Sequence, residues 1–401
     1  MREVLIKEYN NLKRLNLKSK GGDYTFKLDF LQGCTFEILG TKPGKFNVQF
    51  LNQDNNEVVY ESQITNNMWV KSNKKYYLNY LIKVTDLENN KVIFEHKFNA
   101  EDKRVYIHLD SKAIGDTLAW FPYVEEFRKK HKCQMVCSTF HNEWFESNYP
   151  KIEFINPGTQ SPNLYAMYNI GWHYNEDNTV NADWNPNDFK KYSLQECSAD
   201  ILGVDYNEIK PKLTFKNEGS KIEGKYVCIA PHGSAHAKYW NNPKGWQHVI
   251  DYLNENGYKV LMITQEKLGD KWHDSKLGGT LTGVIDKTGD YPLSDRANDI
   301  INAEFFIGIG SGLSWLSWAL NTKTILISGF SAPFSEFKDC ERIFPPLSSC
   351  NSCYNKVRLN AGDWEWCPEH KNTKSQYECT KTITSTTVIE AIERIKNLTY
   401  L

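Results

Sequence analysis

Two glycine-serine turns, two aspartates and four closely spaced cysteines are the residues of this chain whose types and spacing suit chemistry. In IAPHGSAHAKYWNNPKGW, Gly233 and Ser234 leave an apolar run, and Lys238 follows before a helical stretch near Gly245. Backbone amides at such a turn and helix start form an anion site, and a lysine supplies a point charge to phosphate. Taken alone, a glycine turn with one lysine is also an ordinary loop. IGIGSGLSWLSWAL repeats the arrangement with Gly310, Ser311 and Gly312. Two such turns at the carboxyl edge of one parallel sheet would converge where open α/β sheets bind ligands, which points to a diphosphate. Neither turn fits the P-loop or the dinucleotide fingerprint.

LDSKAIGDTLAWFP carries Asp110 at a strand end and Asp116 just before a helical run. A carboxylate at either place could act as a general base. Asp116 could equally be the N-cap of the helix that follows it. Further on, Cys350 and Cys353 form a CxxC, with Cys367 and Cys379 close behind. Two thiolates from a tight turn plus a second pair complete a tetrahedral metal site. Ligand chemistry alone makes zinc the default and leaves a rubredoxin-like iron open. His370 is read as a surface residue. Four thiolates leave no open coordination position, so the site is expected to be structural and to shape an insert at about 340–380 for contacts between subunits or with an acceptor. Cys34, Cys133, Cys137, Cys197, Cys228 and Cys340 sit mostly in apolar runs and read as packed thiols.

The elements that must hold these residues differ along the chain. The first hundred residues alternate apolar and polar positions in short runs such as YTFKLDF and KFNVQFL, which predicts an antiparallel sandwich or small barrel over 1–103. From Arg104, RVYIHL, a helical TLAWFPYVEEFRKKH, then CQMVCST and KIEFINPG give a β-α-β order over 104–215. A second α/β unit over 216–401 runs through KYVCIA, GWQHVIDYLNENG, YKVLMIT, EFFIGIG and TKTILIS. Two facing Rossmann-like domains, joined through residues 205–224, are expected. Thr264 and Glu266, at the end of YKVLMIT, fall at the same strand edge and are expected near a nucleoside.

Charge narrows the function classes. The 48 basic residues nearly cancel the 49 acidic ones, so no broad field calls for nucleic acid or an anionic membrane. No apolar run reaches the ~18–20 residues of a membrane span, and the first twenty residues lack the apolar stretch of a secretion signal. A soluble protein of a reducing compartment is the expectation, which disfavours a disulfide framework.

The order GDTLAWFP, APHGSAHAKYW, GIGSGLSWLSWAL resembles heptosyltransferase-type GT-B glycosyltransferases, most closely the bacterial autotransporter heptosyltransferases of the Aah/TibC type. The resemblance spans nearly the whole chain. It implies inverting transfer of heptose from ADP-heptose to serines of an autotransporter adhesin passenger in the bacterial cytoplasm, by a large ring-like homo-oligomer such as a dodecamer. It implies Asp116 as base, with Asp110 in reserve, Lys238 on the donor diphosphate, and Gly310, Ser311, Gly312, Leu313 and Ser314 as the loop that holds it. It also implies iron at the four cysteines in place of zinc. Lipopolysaccharide heptosyltransferases usually have Asp-Thr-Gly where this chain has Ser311-Gly312, which shifts the expectation toward the autotransporter branch. The rivals are a lipopolysaccharide acceptor or another nucleotide-sugar on the same fold, and a zinc-ribbon module for nucleic acid, which the neutral charge disfavours.

Overall fold

The computed structural model describes residues 15–18 and 22–397. The described residues separate into two compact units, one of those up to 112 with 120–188 and 196–207, the other of 113–119, 189–195 and those from 208 on. Each has its own sheet system. Among the described residues no helix is long and apolar enough to cross a membrane.

In the first unit, strands β1 (Leu15–Lys18), β2 (Tyr24–Leu31), β3 (Thr35–Gly40) and β6 (Met68–Lys71) pair antiparallel. A separate four-stranded sheet runs β5 (Glu57–Thr65), β4 (Lys45–Asn52), β7 (Tyr80–Asp86), β8 (Lys91–Lys97). Alternate positions bury an aromatic core, in which Phe94 of β8 lies 4.5 Å from Phe26 of β2 and 5.5 Å from Phe36 of β3 between ring centroids. The first of these sheets does not end with the alternating segment. Phe30 and Leu31 of β2 pair in parallel with Ala166 and Met167 of β12 (Leu164–Ile170). One eight-stranded sheet therefore continues through β9 (Arg104–Leu109), β10 (Gln134–Ser138) and β11 (Ile152–Phe154), all parallel to β12. Every residue of β12 is buried, as a strand inside a parallel sheet requires.

The second unit is a six-stranded, wholly parallel sheet in the order β15 (Ile285–Asp286), β14 (Lys259–Met262), β13 (Tyr226–Ala230), β16 (Phe306–Ile309), β17 (Thr324–Ile327), β18 (Glu341–Ile343). Its strands are short apolar runs, and helices Gly245–Glu255 and Ser385–Asn397 pack Trp246, Val249, Leu253, Val388 and Ile392 into the same core as Ile229, Ile307 and Ile325. The strand order reverses direction between β13 and β16. That reversal is the switch point where ligands bind in open α/β sheets, because the loops leaving the two neighbouring strands diverge and leave a crevice.

The stretch after residue 207 clusters with this second unit. Glu208 accepts from the Trp318 indole at 3.1 Å and from the Lys338 backbone at 2.7 Å, and Lys210 pairs with Asp339 at 2.7 Å.

Candidate active site

Both glycine-serine turns leave the switch point. Ala230 and Gly308 are register partners, so the loop after β13, with Gly233, Ser234 and Lys238, lies beside the loop after β16, with Gly310 to Gly312. A Cβ on Gly233 would stand 3.2 Å from Cδ1 of Ile309. The helix Gly312–Ala319 begins at Ser311, which has extended backbone angles and makes no side-chain cap. The first amides of that helix are thus not capped by Ser311 and suit an anion. Ser314 does something else. Its buried hydroxyl donates to the Ile309 carbonyl at 2.6 Å, tying helix to strand. Leu313 contributes through its place in the first turn.

The chain segment 113–119 belongs to the same unit. Its helix, Ile114–His131, begins three residues earlier than TLAWFP suggests, so Asp116 is its third residue and not its N-cap. A carboxylate in the first turn still gains from the helix dipole. The two helix starts meet through their glycines. A Cβ on Gly312 would lie 2.8 Å from the Ile114 Cβ, and one on Gly115 2.9 Å from Cδ1 of Trp315.

Lys238 is the cation of this group. Burial pushes its pKa down, while the carboxylates of Asp116 and Glu336 oppose that shift and favour the charged form. Its ammonium donates to Ser234 Oγ at 3.1 Å and stands 5.6 Å over the Phe330 ring. Asp116, Lys238 and both glycine turns are therefore parts of one unit. Asp110 is not. It is exposed in the first unit, where its amide donates to Ile170 and a Cβ on Gly171 would meet its Cβ at 3.2 Å.

Thr264 and Glu266 are held by a polar network. Thr264 is buried, 3.0 Å from Nδ1 of His232, and donates to the Glu266 carbonyl at 3.2 Å. Burial first, and then the neighbouring His273, lower the His232 pKa to about 3, so this imidazole is neutral. Arg296, also buried, donates to the carbonyls of Thr264 and Gly289 and to that of Lys287. It fixes the loop after β15 against the end of β14.

Several of these residues were not singled out in the sequence. Glu336 lies beneath Gly310, on which a Cβ would be 2.9 Å from Glu336 Oε1. It accepts from the Ser331 hydroxyl and pairs with Arg342 at 3.0 Å. The usable signal was the loop after β17, a third strand end at the same sheet edge. His232 and Arg296 likewise follow from strand-end position.

Cys350, Cys353 and Cys367 all lie near enough to Cys379 to act on its thiol. Two short helical turns, Cys353–Lys356 and Glu378–Lys381, each start from a residue in the left-handed region, Ser352 and Tyr377. Cys353, Cys367 and Cys379 are buried and Cys350 is half-buried. Burial, and then repulsion from Cys350, Cys353 and Cys367, raises the Cys379 pKa to about 12. Burial raises Cys353 to about 11. A backbone hydrogen bond from Cys379 opposes the same effect at Cys350. The tightest ligand grouping among the described residues is Cys350, Glu369 and His370, whose donor atoms lie within 4.8 Å of one another. His370, expected at the surface, is thus half-buried beside a thiol. The six other cysteines include five that are buried, with Cys340 partly so.

Residues 189–335 match the family model described as glycosyltransferase family 9 (heptosyltransferase), and residues 22–88 match that of the N-terminal domain of glycosyltransferase TibC. The chain is similar to the autotransporter heptosyltransferase BAHTCr of Citrobacter rodentium, 37% identical over 88% of this chain and 85% of that protein. It is 36% identical to the autotransporter heptosyltransferase Aah of Escherichia coli over 94% of each. A crystal structure of TibC, described as a dodecameric iron-containing heptosyltransferase in complex with ADP-D-beta-D-heptose, superposes with a TM-score of 0.84. That match has 32% identity and covers 96% of this chain and 98% of the other. A more distant relative, 28% identical over 92% of this chain and 84% of its own length, is the inactive autotransporter heptosyltransferase BimC of Burkholderia thailandensis.

Proposed function

Because this chain belongs to the autotransporter heptosyltransferases and has their α/β, GT-B-type fold with a β-rich N-terminal region, we propose that it transfers heptose from ADP-heptose to serines of an autotransporter passenger. Asp116 is the general base and the displacement inverts the anomeric centre. The observation that carries this reading is the grouping of Asp116, Lys238 and the uncapped start of helix Gly312–Ala319 within one unit.

A serine hydroxyl is a weak nucleophile at neutral pH, so its attack needs a carboxylate to take the proton. Asp116 accepts the Oγ proton as the serine oxygen bonds to the anomeric carbon. The bond from that carbon to the diphosphate oxygen breaks, and ADP leaves with the electron pair. Charge growing on the leaving diphosphate is stabilised by Lys238 and by amides near Gly233, Ser234, Gly312 and Leu313, which replaces a general acid. Thr264 and Glu266 serve the nucleoside. Asp110 remains the reserve base. In this division of labour residues 104–215 serve the acceptor, residues 216–401 bind the donor, and 1–103 form the β-rich region.

Cys350, Cys353, Cys367 and Cys379 hold one iron per chain in a structural site. The nearness of Cys350, Cys353 and Cys367 to Cys379 and the left-handed starts of the two turns support a metal-thiolate cluster. When bound, the metal supplies charge neutralisation and cross-linking of the segment, and no step of the transfer runs through it. The protein works in the bacterial cytoplasm as a ring-like homo-oligomer, a dodecamer.

The experiment is incubation of purified protein with ADP-heptose and an autotransporter passenger, read by mass spectrometry. Heptose on passenger serines is expected. An unmodified passenger would overturn the reading.

A further inference from the structure

The cysteine segment and the turn that carries Lys238 are one packed body. Ala237, the residue before Lys238, is buried in a cluster with Cys353, Cys367, Trp366, Tyr377 and Phe330. The same Phe330 lies beneath the Lys238 ammonium. Tyr354 donates its amide to the Phe330 carbonyl at 3.1 Å, and Ser352 its amide to Gly329 at 2.9 Å. The lysine is therefore held above a ring that the CxxC turn fixes in place.

Glu365, two residues before Cys367, makes the polar part of this junction. Its Oε2 lies 3.2 Å from Nδ1 of His236 and accepts from the Tyr377 hydroxyl at 2.7 Å and from Gln376 at 3.3 Å. Its Oε1 accepts from Lys276 at 3.3 Å. His236 opens the single helical turn His236–Lys238, and its carbonyl accepts from the Tyr239 amide at 3.0 Å and from Asn241 Nδ2 at 3.2 Å. A second tie runs from Thr380, next to Cys379, to the Asn241 side chain at 2.9 Å. Around Glu365 is a cavity lined by His236, Asn241, Lys276, Tyr377 and Lys381. The Glu365 carboxylate thus joins three elements, of which only the His236 turn leads to the candidate active site.

We infer that Glu365 is a positioning residue for Lys238, so that the cysteine segment builds one wall of the donor diphosphate site. This rests on the proposed role of Lys238 in donor binding. A carboxylate with four donors aimed at it cannot be replaced by an amide without turning an N–H toward one of them. In Glu365→Gln the acceptor loses its charge, so the His236 contact weakens even with the amide nitrogen turned toward Lys276, the turn shifts, and the ammonium moves from its place over Phe330. Small displacements of a charged contact weaken binding steeply.

The test is a double-mutant cycle on ADP affinity, measured by calorimetry with wild-type protein, Glu365→Gln, Lys238→Ala and the double variant, beside thermal melts and metal content. Glu365→Gln is expected to weaken ADP binding roughly tenfold with metal content unchanged, and to add nothing in the Lys238→Ala background. Glu365→Asp, which keeps the charge, should recover part of the affinity. Additive effects in the double variant, or unchanged affinity in Glu365→Gln, would overturn the inference while leaving the donor site intact. Unchanged affinity in Lys238→Ala would overturn the donor-site reading itself. If Glu365→Gln does not fold, Thr380→Val breaks the second tie to the same turn, and its additivity with Lys238→Ala decides in the same way.

Discussion

Gly312 stands so near Ile114 that a Cβ on the glycine would sit 2.8 Å from the Ile114 Cβ. The start of the helix that carries Asp116 and the start of the helix after β16 approach one another because neither side chain intervenes. Gly312→Ala should therefore push Ile114 aside. Overpacking of this kind costs about 1–3 kcal/mol. The expected outcome is a lower melting temperature together with slower transfer, because Asp116 moves with Ile114. A variant with unchanged stability and rate would show that the two helix starts can separate freely.

Lys238→Ala should weaken ADP-heptose binding about tenfold or more, since a hydrogen bond to a charged group is worth about 1.5–3 kcal/mol. Calorimetry is the check, with a thermal melt to confirm folding. Loss of affinity with an unchanged melt supports the donor site. Unchanged affinity removes Lys238 from it.

Cys353→Ser should abolish the bound metal, which elemental analysis and visible absorption report together. Ferric thiolate is coloured and zinc thiolate is not, so the spectrum separates the two metals. Because Cys353 packs with Ala237, loss of the metal should also lower the melting temperature and weaken ADP binding. A colourless, metal-free wild-type protein that is fully folded would contradict the proposed site.

How much of this was legible beforehand depended on whether the deciding contact was local. The turns at Gly233 and Gly310–Gly312 could be placed because an apolar run, a glycine and a helical stretch follow one another in sequence. The two α/β sheets could be placed for the same reason. The parallel pairing of β2 with β12 could not, since alternation in YTFKLDF identifies a strand and not a partner some 140 residues away. LYAMYNI does not stand out as a strand because its tyrosines and asparagine interrupt the apolar run that marks KYVCIA and TKTILIS. The Asp116 helix begins at Ile114, earlier than the sequence predicts, because Ala113, Ile114 and Gly115 follow a polar loop and glycine in a first turn reads as a breaker. The Glu336–Arg342 pair and the Glu365 junction depend on tertiary packing alone.

Heptose transfer to the passenger by Asp116→Asn, at saturating ADP-heptose and beside the wild-type protein, tests the central claim most directly. Asn keeps the shape of the side chain and cannot accept the serine proton as a base. Removal of a general base costs ~10²–10⁴ in rate, so the variant should bind ADP-heptose normally, melt normally and transfer heptose slower by that factor. Near-wild-type turnover by Asp116→Asn would contradict the account and pass the role to Asp110 or to another group.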